Sequence, residues 1–387
     1  MTRRPSSEPL PGAPDPWAAS EMPRYRSRPP YVMSEMIAAE PALAQRLVRR
    51  FARSDALDRL AALVRDAVGA GEAVATTGCG TSMHAAMGLA ELLNEALEPD
   101  GGRGVASVEA LETLRWPIRG GVLIAVSHEG GTPATNEALR AAREAGARTA
   151  LITVSDRSPA AAVSDIVVAT EEQDQSWCHT VGYLSPLIAG VATAARISGT
   201  RPDAAAIHAL LDVANEPRAA ADVAAGLSGV DRLVVVGSGI DHVTARELTL
   251  KVAEGARLPA QALELEEVHH GHLAAASRWT GLVLVLADRD ADRLVRERAA
   301  GALTAARILS MPAAAILGER TAGEIPAEAT PAGRIVVPHT DRVRGVAGDL
   351  LGPAMALQLL AERLARARGI NPDTLGREDE AQAAAHA

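Results

Sequence analysis

The stretch AVATTGCGTS (73–82) decides the fold, because a short β-branched run passes directly into a turn of glycine and hydroxyl residues. Ala-rich helical segments follow such runs along the chain, which is typical of parallel strands joined by crossover helices. The pattern recurs in DRLVVVGSGID (231–241), where a strand again runs into a glycine-containing turn. We therefore predict an α/β fold of two doubly wound, flavodoxin-like units with parallel sheets, related by an internal repeat.

The remaining strands and helices follow from the same alternation. In the first unit, strands are predicted at 73–78, 105–108, 121–127, 149–154 and 165–170, with helices near 82–97, near 134–145 and after 181. In the second unit, strands are predicted at 231–237, 281–287, 313–318 and 334–338, with helices near 242–257, 290–308 and 349–368. The predicted domains are a disordered tail (1–30), a helical segment (31–71), the first unit (72–200), a linker (201–220), the second unit (221–368) and a C-terminal tail (369–387).

Composition excludes several classes of protein. The 387 residues are 48% hydrophobic, which is ample for the cores of two domains. The net charge of −9 is spread without a basic stripe, so we expect neither nucleic acid nor a membrane surface as a partner. Cys79 and Cys178 cannot form a disulfide framework. Since no apolar run approaches the roughly 20 residues of a spanning helix and no secretory signal is visible, a cytoplasmic protein is expected.

Two loops of the first unit are candidates for binding a ligand. They are GCGTS (78–82) and SHEGGT (127–132), which combine glycines with hydroxyl side chains. In a doubly wound sheet, ligands bind where strands feed helix N-termini, because free N–H groups and the helix dipole favour anions there. Taken alone, each loop is also typical of a helix N-cap. The second unit has GSGID (237–241) and the acidic ADRD (287–290) instead, so only the first unit is predicted to hold an anionic ligand.

These motifs together resemble the sugar isomerase (SIS) domain family. More narrowly, they resemble the isomerase half of glucosamine-6-phosphate synthase and the fructosamine-6-phosphate deglycases, over about residues 33–375. The motifs that carry the resemblance are MSEMIAAEP (33–41), CGTSMHA (79–85), SHEGGT (127–132), SPAAAVSD (158–165), LKVAE (250–254) and HHG (269–271). The resemblance does not extend to the glutaminase domain of the synthases, so ammonia from glutamine is not expected to take part.

The resemblance implies roles for individual residues. It makes Glu254 the group that moves a proton between C1 and C2 of an open-chain sugar, and His270 the group that helps to open the ring. It also implies a homodimer or higher homo-oligomer, with no metal and no cofactor. The substrate-binding residues that it implies are Cys79, Gly80, Thr81, Ser82, Ser127, His128, Glu129, Thr132 and Thr180.

Three departures from the family pattern bear on the substrate. Glu129 replaces the second serine of the phosphate loop, and a carboxylate beside a phosphate dianion costs about 1 kcal/mol or more. The C-terminal stretch NPDTLGREDEAQ (371–382) has no lysine for a Schiff base, and Lys251 is the only lysine of the chain. Val181 stands where the family has another lysine. We therefore expect an isomerase or deglycase that acts on an amino sugar or fructosamine, a sugar phosphate by resemblance, through C1–C2 proton transfer with amine release.

Other interpretations stay open. An aldose–ketose phosphosugar isomerase would use the same proton transfer, and a non-catalytic sugar-sensing protein would need only the binding loops. The run LEEVHHGHLA (265–274) has the composition of a metal site, although no HExxH or CxxC motif accompanies it. Cys178 and His179 are adjacent in sequence, which alone does not make a nucleophilic pair.

Overall fold

The computed structural model describes residues 8–13, 15–18, 26–97 and 104–385. The predicted disordered tail therefore lies partly outside the described residues, at 1–7, 14 and 19–25. The predicted helical segment contains α1 (Val32–Phe51) and α2 (Asp55–Gly69). Helix α2 begins where the side chain of Ser54 accepts the N–H of Leu57, which satisfies one of the free donors of the first turn.

The first sheet has the strand order β2-β1-β3-β4-β5, and all of its pairings are parallel. This is the flavodoxin-like order, so the predicted fold class is confirmed. The strands are β1 (Val74–Gly78), β2 (Val105–Glu109), β3 (Val122–Val126), β4 (Arg148–Thr153) and β5 (Ile166–Ala169). The helices are α3 (Thr81–Leu97), α4 (Ala110–Arg115), α5 (Pro133–Glu144) and α6 (Val181–Ile197).

The second sheet repeats this order as β7-β6-β8-β9-β10, again with parallel pairings. Its strands are β6 (Arg232–Val236), β7 (Ala260–Leu263), β8 (Thr280–Leu286), β9 (Ala313–Gly318) and β10 (Arg334–Val337). The stretch predicted as a linker contains α7 (Ala204–Ala214) and the start of α8 (Pro217–Leu227). The later helices are α9 (Ile240–Ala256), α10 (Arg293–Ile308), α11 (Glu319–Ala322), α12 (Gly345–Ala367) and α13 (Glu380–Ala385).

The described residues divide into two compact units. The first takes in the described residues of 8–18, 39–175 and 179–209, and the second those of 26–38, 176–178 and 210–385. The central strands β3 and β8 are buried along their whole length, which explains their continuous apolar sequences VLIAV and TGLVLVL. None of the described helices combines the length and apolarity needed to cross a membrane.

The topology of each sheet fixes where a ligand can bind. In the first sheet, β1 lies between β2 and β3, so the next strand along the chain pairs with one side of β1 and the strand after it pairs with the other side. The loops that follow β1 and β3 therefore border a crevice at the carboxyl edge of the sheet. In the second sheet, the corresponding crevice lies after β6 and β8.

Candidate functional site

The loop after β1 is tightly closed by glycine. A Cβ atom at Gly78 would lie 2.7 Å from the backbone carbonyl of Ser82, and Gly80 has a φ of 55°. Both positions therefore require glycine, because α3 begins only three residues after the end of β1. The Sγ atom of Cys79 lies 3.6 Å from the Oγ1 atom of Thr135, and burial raises the pKa of this thiol. Cys79 is thus a neutral polar group of the crevice and not a thiolate.

The loop after β3 first continues the sheet and then turns sharply. Ser127 donates its N–H to Ile152 at 3.1 Å, and the carbonyl of His128 accepts the N–H of Val154 at 2.8 Å. Gly130 then adopts a φ of 71°, and a Cβ atom there would lie 2.3 Å from the Oγ atom of Ser158. The SPAAAVSD motif therefore holds this loop in shape through its first serine.

The end of this loop presents an exposed hydroxyl. Thr132 occupies the N-cap position of α5, and its side chain makes no cap hydrogen bond. Ser82, in the first turn of α3, is half-buried. Among the substrate-binding residues predicted for the first unit, these two side chains, the carboxyl group of Glu129 and the thiol of Cys79 are the ones that the fold leaves at least partly accessible.

His128 and Thr180 belong to a buried network centred on Asp174. The carboxylate of Asp174 accepts the N–H groups of Thr180 at 2.7 Å and Gly182 at 3.1 Å, and so caps α6. The N–H of Asp174 donates to the Nε2 atom of His128 at 3.0 Å. Burial, with His179 as a second cause, lowers the pKa of His128 to about 3. His128 is therefore neutral and shapes the floor of the site.

Glu129 is the acidic member of the loop. Its side chain is half-buried, and its Oε1 atom lies 3.4 Å from the Nε2 atom of Gln173. Burial raises the pKa of Glu129 to about 7, with Gln173 lowering it and Asp174 raising it further. Near neutral pH this carboxyl group is therefore divided between its protonated and ionised forms.

In the second unit, the side chain of Glu254 lies beside a buried cation on α9. The Nζ atom of Lys251 is 2.5 Å from the Oε2 atom of Glu254 and 3.7 Å from the Oε1 atom of Glu247. Lys251 and Glu247 are fully buried, whereas a quarter of the Glu254 side chain, 25%, is exposed. Burial alone would lower the pKa of Lys251, but the two carboxylates raise it. Lys251 is therefore an ammonium group that holds the carboxylate of Glu254 in place, while part of that carboxylate stays exposed to solvent.

His270 lies on an exposed turn of the same unit. It ends the 3-10 turn Glu267–His269, and the next residue, Gly271, has a φ of 106°. The His270 side chain is 70% exposed, and its Nε2 atom lies 3.1 Å from the Oε1 atom of Glu266. Hydrogen bonds from His270 and Arg298 lower the pKa of Glu266. In the described part of the chain, no hydrogen bond or ion pair joins His270 to Glu254.

In the second unit, the carboxylate of Asp241 binds the N–H donors that border the crevice. The side chain of Asp241, in the first turn of α9, accepts the N–H of Ala287 at 3.0 Å and that of Asp288 at 3.2 Å. Burial raises the pKa of Asp241 to about 7 in spite of these hydrogen bonds. An anionic ligand would have to use the same donors at the end of β8, and Asp241 already binds them.

The other polar residues considered from sequence have separate contacts. Cys178 is fully buried, and its Sγ atom lies 3.9 Å from the backbone oxygen of Lys251. The ring of His179 lies 5.2 Å from that of His128. The guanidinium group of Arg377 lies 3.7 Å from the centre of the Trp177 ring. Among the described residues, no three His, Cys, Asp or Glu side chains are arranged to hold a metal ion.

Sequence reasoning missed the residues that hold the site in shape. Asp174 and Asp241 bind backbone N–H groups, and Glu247 binds Lys251. Only Glu247 had a readable signal, because a glutamate four residues before a lysine is a favourable pair on one helix face.

Comparison with known proteins identifies the family of this region. Residues 72–196 match the family model described as SIS domain. The glutamine–fructose-6-phosphate aminotransferase (isomerizing) of Symbiobacterium thermophilum is 29% identical over 331 residues, which are 78% of this chain and 50% of that protein. The chain thus spans about half the length of the curated relative that it matches.

Solved structures share the fold. The C-terminal domain of glucosamine-fructose-6-phosphate aminotransferase from Francisella tularensis superposes with a TM-score of 0.74 at 18% identity, over 90% of this chain and 99% of that chain. The tagatose-6-phosphate ketose/aldose isomerase from Escherichia coli has a TM-score of 0.70 at 17% identity, over 92% and 98% of the two chains. Residues 72–196 thus match a SIS domain, in a chain that is similar over 78% of its length to the isomerizing aminotransferase.

Proposed function

We propose that this protein is a sugar isomerase or deglycase that acts on an amino sugar or fructosamine by proton transfer between C1 and C2, with release of the amine. The observation that carries the proposal is the half-open carboxylate of Glu254, which the buried ammonium of Lys251 holds at 2.5 Å. The homology to an isomerizing aminotransferase supports the same chemistry.

The reaction needs one group that carries a proton between neighbouring carbons. Glu254 takes a proton from C1 of the open-chain ketosamine while the C2 oxygen gains a proton from water, which gives the enaminol. Glu254 then returns its proton to C2 as the nitrogen loses its own proton to water. The product is an imine between C1 and the amine, and addition of water to this imine releases the amine and leaves the aldose. A carboxylate fixed beside the reacting carbons suits such a transfer. Lys251 keeps its proton, so its nitrogen has no lone pair with which to form a Schiff base.

The accessible groups of the first unit are suited to hydrogen-bond a sugar. The hydroxyls of Ser82 and Thr132 can donate to or accept from sugar hydroxyls, and both lie at the ends of loops that glycine holds in fixed conformations. His270 would assist ring opening, because an imidazole can both donate and accept a proton. Because 70% of its side chain is exposed, we include a homodimer in the proposal, in which a second subunit covers this turn.

The test is turnover by the full chain. The purified protein is incubated with 1-amino-1-deoxyfructose and with its 6-phosphate in D2O, and the released amine and deuterium at C2 are measured. We expect both signals, and a loss of about 100-fold or more in Glu254→Gln, which keeps the shape of the side chain but cannot take up the proton. Glu297→Gln, which alters an exposed carboxylate on α10, is the matched control and should keep wild-type turnover.

The outcomes separate the competing functions. Deuterium exchange without amine release would favour a simple aldose–ketose isomerase. Equal turnover in wild type and Glu254→Gln would contradict the role of Glu254, and binding without any turnover would favour a sugar sensor.

A further inference from the structure

The loop 127–132 differs chemically from a phosphate-binding loop. Glu129 projects from it beside the end of β3, and its Oε1 atom has the amide of Gln173 as a hydrogen-bond partner at 3.4 Å. Burial, Gln173 and Asp174 are the influences on its ionisation, and none of them is a cation. A phosphate dianion that entered this loop would therefore meet a carboxyl group with no described cation to compensate it.

The neighbouring donors do not offset this acidity. The N-terminus of α6 would attract an anion, but the carboxylate of Asp174 already binds the N–H groups of Thr180 and Gly182. His128 lies next to Glu129 in the loop, and its buried imidazole is neutral because its pKa is lowered to about 3. The loop and the start of α6 thus carry two carboxyl groups, the neutral imidazole of His128 and, 5.2 Å from that ring, the imidazole of His179.

The loop contacts the N-terminal segment at Gly131, where the Cβ atom and the backbone of Trp17 lie against it. A Cβ atom at Gly131 would lie 2.8 Å from the Cβ atom of Trp17, so only glycine fits beneath this tryptophan. The same segment is tied to the chain before α6, because Gln175 donates its side-chain N–H to the carbonyl of Pro11 at 2.5 Å. The N-terminal segment therefore packs against the loop and against the chain before α6.

We propose that Glu129 determines specificity by accepting a hydrogen bond from an unphosphorylated hydroxyl group of the substrate, and that it excludes the sugar phosphate. This inference rests on the proposed function, because it names the class of amino sugar or fructosamine that the same site takes. Thr132 and Ser82 would bind further hydroxyls of the same ligand.

The test compares three probes in calorimetric titrations at about pH 8, where Glu129 is mostly ionised. The probes are 1-amino-1-deoxyfructose, its 6-phosphate and inorganic phosphate. The full-length chain carries Glu254→Gln for the sugar titrations, so that turnover does not obscure binding. We expect the unphosphorylated sugar to bind at least about tenfold more tightly than its 6-phosphate.

Substitution of Glu129 should reverse this preference. Glu129→Ser replaces the carboxylate by a hydroxyl and should shift the ratio of the two affinities toward the 6-phosphate by at least about tenfold, with Glu129→Gln in between. The matched control is Glu137→Ser, which removes an exposed carboxylate from α5 of the same unit and should leave the ratio unchanged. Tighter binding of the 6-phosphate by wild type, or a ratio that Glu129→Ser does not change, would overturn the inference.

Inorganic phosphate separates this inference from the proposed function. If neither sugar binds, the proposed substrate is wrong, but the phosphate titration still decides the role of Glu129. Phosphate that binds Glu129→Ser and not wild type supports the exclusion. Phosphate that binds both equally, or neither, contradicts it, because removing the carboxylate should open the loop to an anion.

Discussion

Replacing Lys251 by methionine should strongly destabilise the second unit. The ammonium group is fully buried and lies 3.7 Å from the carboxylate of Glu247, which is equally buried. At an effective dielectric constant of about 20, two unit charges at this distance attract each other by about 4 kcal/mol. Removing one partner of a buried ion pair typically costs about 3–5 kcal/mol, since the other charge stays in the interior. We add nothing for Glu254, because solvent screens its exposed face.

The measurement is urea unfolding of the Lys251→Met variant, followed by circular dichroism near neutral pH. We expect the free energy of unfolding to fall by about 3–5 kcal/mol, and at least half of this loss to return in Lys251→Met/Glu247→Gln, which removes both charges. Loss of less than about 1 kcal/mol in the single variant would refute the reasoning. In the double variant, the turnover number should be lower than in wild type although stability has partly returned, and KM should change little. The reason is that Lys251 positions Glu254 and does not bind the substrate.

Two further predictions concern stability. Because burial raises the pKa of Asp241 from 3.8 to about 7, the folded chain binds this proton more tightly than the unfolded chain does. This contribution to the free energy of unfolding is fully present below about pH 4 and is lost as pH rises through about 7, a decline of roughly 4 kcal/mol at most. Urea unfolding at several pH values should show a smaller decline in Asp241→Asn. Gly130→Ala should lower the melting temperature clearly more than Gly146→Ala, since both have positive φ but only Gly130 would bring a Cβ atom within 2.3 Å of Ser158. Equal losses in the two alanine variants would contradict the close contact.

The fold could be predicted from sequence because its signals are local. The strands β3 and β8 are continuous apolar runs, and the helices that follow begin at glycine- or hydroxyl-rich turns. The exception is β7, whose sequence AQAL contains a polar residue and only one fully buried position. As an edge strand it pairs on one side alone, so its sequence is not required to be apolar.

The site could be predicted only in part. Gly80 and Gly130 predicted two tight loops, and both residues have the positive φ that favours glycine. The contacts of Asp174 and Asp241 could not be read, because each carboxylate binds backbone N–H groups whose position depends on the tertiary fold. Asp241 reaches across to the end of β8, 46 residues later in the chain.

The two units differ in how the N–H donors at the carboxyl edge of each sheet are satisfied. Both sheets have the same strand order, so both have a crevice at which strand ends and a helix N-terminus present N–H donors. In the second unit, Asp241 satisfies these donors from within, and the crevice has no need of a ligand. In the first unit, the carboxylate of Asp174 binds donors of α6, and the loops after β1 and β3 keep Ser82 and Thr132 accessible. An internal carboxylate can thus take the place of an anionic ligand at one crevice of a repeated fold, although its burial costs stability as pH rises through about 7.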